Sequence, residues 1–305
     1  MKPSMVSAEF AHPTEKRRNV SVPSFFYLKK VLEYKGAIGL STQNDLLLEI
    51  TPEPAVMEGV SLFRVTYLSQ GLRVKAALAV PDQAGPMPAL LYCRGGLNNV
   101  GKVRPERISQ LAAFGYIVFA PHYRGSEGGE GRDEFGGNDR QDVFSAYELL
   151  RTLPQVDPQR ISLYGFSRGG MMALFAAMQC EGILAAVVWG GVSDLFLTYE
   201  ERVDLRRMLR RIVGHPRKQE AAYRERSPVF TADRIRCPVL IIHGTEDQNV
   251  GVEHAYRLAN ALQLHDKPYE LWLAEGATHL FLPELNEAYT RRMFEWLNRQ
   301  VPQPV

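Results

Sequence analysis

The sequence predicts an α/β protein built on an open, mostly parallel, doubly wound sheet with an antiparallel start. Two observations support this prediction: apolar runs of strand length alternate with helical stretches along most of the chain, and a hairpin precedes them. Strands buried on both faces have unbroken apolar sequences, and a helix between two such strands makes them pair in parallel. With 305 residues, 45% of them hydrophobic, the chain can form one large domain.

The individual elements follow from local patterns. Val60–Tyr67 and Leu72–Val80 flank Ser69-Gln-Gly71, which predicts the antiparallel hairpin. Further strands are predicted at 88–93, 116–120, 161–166, 184–189, 238–243 and 269–273, with helices near 104–114 and 139–153, directly after 167, at 252–264 and from 283. A polar helical stretch at about 194–230 interrupts this alternation and is predicted to be a lid insertion.

The first part of the chain is predicted to be an extension, residues 1–55, ahead of a main domain at 56–305. Ser24–Tyr34 fits a short amphipathic helix, and Thr51–Pro54 fits an extended linker. We expect that helix to pack on the main domain. Alternatively, the helix covers the functional site or joins two subunits. In the second case the protein would be a homo-oligomer.

Composition excludes several classes of function. A formal net charge of +2 with no block of like charge favours neither a nucleic-acid partner nor a membrane surface. Three widely spaced cysteines argue against a disulfide framework and against a thiolate metal site. The N-terminal residues lack the apolar core of a signal peptide, so we expect a cytoplasmic protein.

A nucleophile elbow is predicted at Gly165-Phe-Ser167-Arg-Gly169. The pentapeptide follows a strand-like run and precedes a helix-forming run, which is the context in which Gly-x-Ser-x-Gly exposes a reactive serine. The helix that follows aims its first N–H groups at the same place and stabilises negative charge there. Ser167 is therefore the predicted nucleophile.

A serine nucleophile needs a base, and the base needs an acid to orient it. After an elbow of this kind the acid and the histidine come in that order, each following a later strand. Asp247 follows strand 238–243 in a turn that contains Gly244, with Glu246 as the adjacent alternative. His279 follows strand 269–273 and is the predicted base.

Negative charge on a tetrahedral intermediate requires two hydrogen-bond donors. The backbone N–H of Arg168 is the first candidate, and Gly95 or Gly96, directly after strand 88–93, is the second. Candidate substrate contacts also follow strands, at Arg94, Tyr123 and Arg124. In the lid, Arg206 and Arg210 repeat at helical spacing, which favours a solvated face; attraction of anionic substrates is the alternative.

Together these motifs resemble the catalytic domain of prolyl-oligopeptidase-like (S9) serine hydrolases. The resemblance covers about residues 60–300 and consists of five motifs in order: Pro121–Ser126, Gly165–Gly170, Arg226–Pro228, His243–Val250 and Thr278–His279. It implies an α/β-hydrolase fold, a Ser167–Asp247–His279 triad and no cofactor.

The sequence departs from that family in two ways. Large members carry a β-propeller ahead of the catalytic domain, and the residues before Val60 are too few for one. Family members often have Tyr or His where this chain has Arg94, so either a glycine N–H or the Arg94 guanidinium would complete the oxyanion hole.

The sequence thus predicts a serine hydrolase that cleaves small esters or short-peptide amides through an acyl-enzyme. The missing propeller favours esters, whereas the resemblance favours peptides. An acyltransferase that uses the same three residues, and a non-catalytic binding protein with the same fold, are the alternatives.

Overall fold

The protein is described here by a computed structural model that covers residues 46–97 and 100–301. In that part of the chain a nine-stranded sheet runs in the order β1-β2-β3-β5-β4-β6-β7-β8-β9. Its strands are β1 (Leu47–Glu53), β2 (Val60–Ser69), β3 (Leu72–Pro81), β4 (Met87–Cys93), β5 (Ile117–Pro121), β6 (Val156–Phe166), β7 (Ile183–Trp189), β8 (Val239–Gly244) and β9 (Tyr269–Ala274).

The first strands are antiparallel, as the sequence predicts. β2 pairs with β3 from Val60 opposite Pro81 to Ser69 opposite Leu72. The predicted boundary of the main domain at residue 56 needs correction, because β1 hydrogen-bonds to β2 and so belongs to the sheet. The helix expected within Ser24–Tyr34 lies outside the described residues.

From β5 to β9 neighbouring strands are parallel, which confirms the predicted α/β fold. The carboxyl ends of parallel strands lie at one edge of a sheet. The loops after β4, β6, β8 and β9 therefore open on the same rim. These loops carry the candidate residues of the functional site.

The helices are α1 (Pro105–Ala112), α2 (Arg140–Leu150), α3 (Arg168–Gln179), α4 (Leu195–Glu201), α5 (Arg206–Ile212), α6 (Glu220–Arg224), α7 (Glu253–Leu264) and α8 (Pro283–Arg299). Short 3-10 helices occupy Val203–Leu205 and Pro228–Arg234. The chain between β7 and β8 is thus helical where the lid was predicted.

Two hydrophobic clusters cover the two faces of the sheet. In β4, Leu91 and Cys93 belong to one cluster and Leu90 and Tyr92 to the other. Alternate side chains of a strand point to opposite faces. Burial on both faces is why the parallel strands appear in the sequence as unbroken apolar runs.

The three cysteines, Cys93, Cys180 and Cys237, are free thiols in the described structure, and all are buried. Burial raises the pKa of Cys180 and of Cys237 to about 12, because a thiolate is poorly solvated there. The described residues contain no helix long and apolar enough to cross a membrane.

His122, directly after β5, is a half-buried titratable group outside the candidate site, with its Nδ1 atom buried. Burial lowers the pKa of His122 from 6.5 to about 4, and the nearby cations Arg94, Arg64 and Lys102 act in the same direction, against Glu127. The His122 Nδ1 atom has no hydrogen-bond partner among the described residues. The folded protein therefore holds this ring neutral.

Because the folded protein keeps the half-buried His122 ring neutral, its stability depends on pH. The unfolded chain binds a proton at His122 near pH 6.5, whereas the folded chain does so only near pH 4, so stability is lost as pH falls between these values. From pH 7 to pH 4.5 this group should cost about 2 kcal/mol of unfolding free energy. Urea unfolding of His122→Gln should show a correspondingly smaller loss over that range.

The control for this measurement is His265→Gln, which removes the exposed imidazole at the end of α7. That variant should lose as much stability on acidification as the unaltered protein. An equal loss in His122→Gln would contradict the assignment of the acid sensitivity to His122.

Candidate active site

Ser167 lies on a tight turn between the end of β6 and the start of α3. Its φ of 57° lies in the left-handed region, which few non-glycine residues adopt. A Cβ added at Gly165 would collide with the backbone of Gly169, and one at Gly169 would collide with the Cys93 carbonyl. Only glycine fits at both positions, which explains the Gly-x-Ser-x-Gly pattern.

Backbone hydrogen bonds fix this turn to the neighbouring strands at the sheet rim. The Ser167 N–H donates to the Trp189 carbonyl at 3.0 Å, and the Gly190 N–H donates to the Ile242 carbonyl at 2.8 Å. Ser167 is also the residue directly before the 12-residue helix α3. The positive end of the helix dipole therefore lies beside the serine.

Asp247 lies in the loop after β8, with its side chain 1% exposed. Its Oδ1 accepts hydrogen bonds from the N–H groups of Asn249 and Val250 at 2.8 and 2.9 Å, and its Oδ2 lies 2.7 Å from His279 Nδ1. Burial alone would raise the pKa of Asp247, but the His279 contact and the two N–H donors outweigh it and lower the pKa. The alternative acid, Glu246, is exposed.

His279 lies in the loop after β9, next to the elbow. Its ring packs on Phe166, the residue before the serine, with ring centroids 4.8 Å apart. The Glu246 N–H donates to the Ala277 carbonyl at 3.0 Å, which ties the histidine loop to the acid loop. With Nδ1 directed at the Asp247 carboxylate, Nε2 is the nitrogen left for proton transfer.

Within the described residues the Ser167 hydroxyl makes no hydrogen bond to the His279 ring. Catalytic hydrogen bonds are commonly long before substrate binds and shorten in the complex. Ser167, His279 and Asp247 lie at one rim of the sheet, and His279 and Asp247 are in contact.

The segment that carries the predicted oxyanion donors, called the oxyanion loop and described at residues 94–97 and 100–101, approaches the serine at Gly95. A Cβ on Gly95 would lie 2.8 Å from Ser167 Cβ and 3.4 Å from Ser167 Oγ. Gly96 has a φ of 65°, which favours glycine. The two glycines therefore allow the backbone to approach the serine, as the sequence predicts.

The residues Arg94, Tyr123 and Arg124 are buried inside the protein, so the prediction of substrate contacts at these positions needs correction. The guanidinium of Arg94, 1% exposed as a residue, donates to the carbonyls of His122, Gly95 and Val100. Tyr123 is fully buried and donates to the Arg94 carbonyl at 3.1 Å.

Arg124 forms a buried ion pair with Asp142, with Nη2 and Oδ1 2.7 Å apart. The side chains of Arg94, Tyr123 and Arg124 are thus all buried and hydrogen-bonded to other protein groups. Position after a strand predicts that a residue lies near the rim, but it does not predict whether the side chain points up into the cleft or down into the core.

Two further histidines support the acid loop. His243 is fully buried, and its Nε2 donates to the Val250 carbonyl at 2.8 Å. Burial lowers the pKa of His243, which keeps the ring neutral. His254 Nε2 lies 3.0 Å from the Glu201 carboxylate at the end of α4, so this ring links the acid loop's helix α7 to the lid.

Of the two lid arginines, Arg210 is exposed, as the predicted solvated face requires, and Arg206 is half-buried; both also contact Tyr199. The guanidinium carbons of Arg206 and Arg210 lie 5.4 and 5.6 Å from the centre of the Tyr199 ring. Arg206 Nε also donates to the Tyr199 carbonyl at 2.8 Å. These two arginines therefore also link α5 to α4, a contact that helical spacing does not predict because Tyr199 lies on a different helix.

Comparison with known proteins agrees with this geometry. Residues 102–303 match the sequence profile of the Prolyl oligopeptidase family. The chain belongs to this family.

Among curated relatives, Uncharacterized peptidase YtmA of Bacillus subtilis (strain 168) is 46% identical over 257 residues, which cover 84% of this chain and 100% of that protein. Dipeptidyl peptidase 8 of Homo sapiens is 28% identical over 231 residues, which cover 70% of this chain and 25% of that protein. The chain thus spans the whole of the first relative and a quarter of the second.

Among solved structures, a Mycobacterium tuberculosis puromycin-hydrolyzing peptidase has a TM-score of 0.68 and 27% identity, covering 77% of this chain and 38% of that chain. An acetyl xylan esterase from Paenibacillus sp. R4 has a TM-score of 0.67 and 22% identity, covering 87% of this chain and 93% of that chain. The second likeness concerns the fold alone. With its family and fold established, the protein is a serine hydrolase of the class that acts on peptides or esters.

Proposed function

We propose that this chain hydrolyses small esters and short-peptide amides through an acyl-enzyme formed on Ser167. The observation that carries this proposal is the contact of 2.7 Å between His279 Nδ1 and buried Asp247, beside an elbow serine at the same rim. An isolated elbow has no base, and an isolated Asp–His pair has no nucleophile.

In the first step His279 Nε2 takes the hydroxyl proton of Ser167 while Oγ bonds to the substrate carbonyl carbon. Asp247 holds the ring in the tautomer that leaves Nε2 free and stabilises the imidazolium that forms. The imidazolium then gives its proton to the leaving alcohol or amine as the C–O or C–N bond breaks. Water then attacks the acyl carbon while His279 Nε2 takes one of its protons. The imidazolium returns that proton to Ser167 Oγ as the C–Oγ bond breaks, which releases the acid and restores the enzyme.

The oxyanion is bound by the backbone N–H of Arg168 and by an N–H of the oxyanion loop, at Gly96 or Gly95. The φ of Gly96 and the close approach of Gly95 to Ser167 support this assignment. Each such donor contributes about 3–4 kcal/mol to transition-state stabilisation.

The substrate class can be tested with p-nitrophenyl acyl esters beside aminoacyl and prolyl p-nitroanilides. We expect both to be cleaved, esters faster, because p-nitrophenolate leaves without a proton whereas the amine must receive one from His279. If the protein cleaved neither the esters nor the p-nitroanilides, the proposal would be contradicted. A free puromycin-like amide is a useful third substrate, given the structural relative that hydrolyses puromycin.

Product analysis with an added acceptor alcohol separates hydrolysis from acyl transfer. A hydrolase gives mainly the free acid, whereas an acyltransferase gives mainly the new ester. A non-catalytic binding protein would give neither product.

The proposal also includes the boundary of the catalytic domain and the cellular compartment. We place the catalytic domain from β1 onwards, with the residues before it as an extension. The three free cysteines support function in a reducing compartment such as the cytoplasm.

A further inference from the structure

A buried ionic cluster lies directly behind the nucleophile. The side chain of Arg168 is 2% exposed, and its Nη1 lies 2.8 Å from Asp133 Oδ2, whose side chain is 1% exposed. Arg168 Nη2 hydrogen-bonds to Asp139, which is fully buried. Both aspartates belong to the Gly-rich segment 125–139, to which the catalytic steps above assign no role.

The same guanidinium also reaches the oxyanion loop. Arg168 Nη1 donates to the Gly96 carbonyl at 2.8 Å. Arg94 Nη1 donates to the Gly95 carbonyl at 3.0 Å and to the Val100 carbonyl at 3.1 Å. Consecutive carbonyls of the loop are thus held by arginines.

Holding a carbonyl also fixes the N–H group of the next residue. In a planar trans peptide the C=O and the following N–H point in opposite directions. The bond at Gly95 therefore directs the Gly96 N–H away from Arg94. The bond at Gly96 fixes the next peptide plane, so the planes on both sides of the Gly96 Cα are held by arginines.

We propose that the Arg168 side chain is a positioning residue: by holding the Gly96 carbonyl it restrains Gly96, so that the Gly96 N–H, whose peptide plane Arg94 holds, keeps the direction needed to bind the oxyanion. The inference rests on the proposed function and deepens it. Arg168 would serve twice: its backbone N–H binds the oxyanion, and its guanidinium, held by Asp133 and Asp139, orients the loop that supplies the other donor.

Several features indicate that the guanidinium's orientation is fixed. Its carbon lies 5.1 Å from the centre of the Tyr123 ring and 4.8 Å from that of Phe135, while the two carboxylates bind its edge. A buried charge is costly and adds little net stability compared with apolar packing. Apolar side chains could fill the same space, but they could not donate a hydrogen bond close to the reacting atoms.

The test compares Arg168→Met and Arg168→Lys with Arg124→Met. Arg124 is a matched control, since it too is buried and paired with an aspartate, Asp142. Its guanidinium bonds to Asp142, Ser69 and Gln70 and not to a carbonyl of the oxyanion loop. We expect Arg168→Met to lower kcat about 10- to 100-fold with little change in KM, because a misdirected donor is lost in the transition state. Arg124→Met should keep its kcat at temperatures where it is folded.

A second readout separates positioning from general damage. The affinity for a phenylboronic acid, which forms a tetrahedral adduct on the serine, should fall in Arg168→Met by about the same factor as kcat/KM. Arg168→Lys keeps a positive charge beside the two aspartates, so it should fold even if Arg168→Met does not. Its boronate affinity and its kcat/KM should both fall less than those of Arg168→Met. Unchanged boronate affinity, or a loss equal to that of Arg124→Met, would overturn the inference.

Labelling by a fluorophosphonate keeps this inference separate from the proposed function. If the unaltered protein is not labelled at Ser167, the proposed function fails. If it is labelled, and Arg168→Met is labelled at the same rate, the positioning role fails and the proposed function stands.

Discussion

Replacing Ser167 with alanine should lower kcat/KM for a p-nitrophenyl ester by about 10⁴-fold or more, with the protein still folded. The change removes the one atom that forms the acyl bond. It alters little else, because within the described residues the hydroxyl makes no hydrogen bond and the elbow is held by Gly165 and Gly169. Steady-state kinetics with unfolding midpoints measures both effects.

A suitable control for that experiment is Ser145→Ala, which removes another half-buried serine hydroxyl, on α2. It should keep its full activity. Substantial hydrolysis by Ser167→Ala would place the nucleophile elsewhere.

Replacing Asp247 with asparagine should lower kcat about 10³- to 10⁴-fold. The amide keeps the size of the carboxylate but neither stabilises the imidazolium nor fixes His279 with its proton on Nδ1. KM should change little, since Asp247 is buried behind the histidine. Kinetics at saturating ester gives the kcat ratio directly.

Glu246→Gln is the matched control for the acid, because it makes the same chemical change one residue away on an exposed side chain. It should leave kcat within about twofold of the unaltered protein, as for most surface changes. A large loss in Glu246→Gln with full activity in Asp247→Asn would reverse the assignment.

Local sequence was enough to predict the elements that position the site. The elbow needs glycine at residues 165 and 169 for backbone approach, and this requirement is visible in five consecutive letters. The strand order of the α/β fold brings the loops after β6, β8 and β9 to one rim, so position along the chain also selects Asp247 and His279.

The supporting interactions could not be predicted because they join distant segments through side-chain direction. Arg168 reaches Gly96, 72 residues earlier, and Asp133 and Asp139 on another loop. Nothing in the sequence near Arg94 or Arg124 shows that their guanidiniums turn inward. Strand β1 was missed because Pro52 within it suggests a linker, yet a proline is tolerated on an edge strand.

The most direct test of the proposed catalytic centre is to locate the fluorophosphonate adduct by peptide mass spectrometry. A single adduct on Ser167, formed much more slowly in Asp247→Asn and His279→Ala, is the expected result. An adduct on another residue, or one on Ser167 that forms at an unchanged rate in both variants, would contradict the joint action of Ser167, His279 and Asp247.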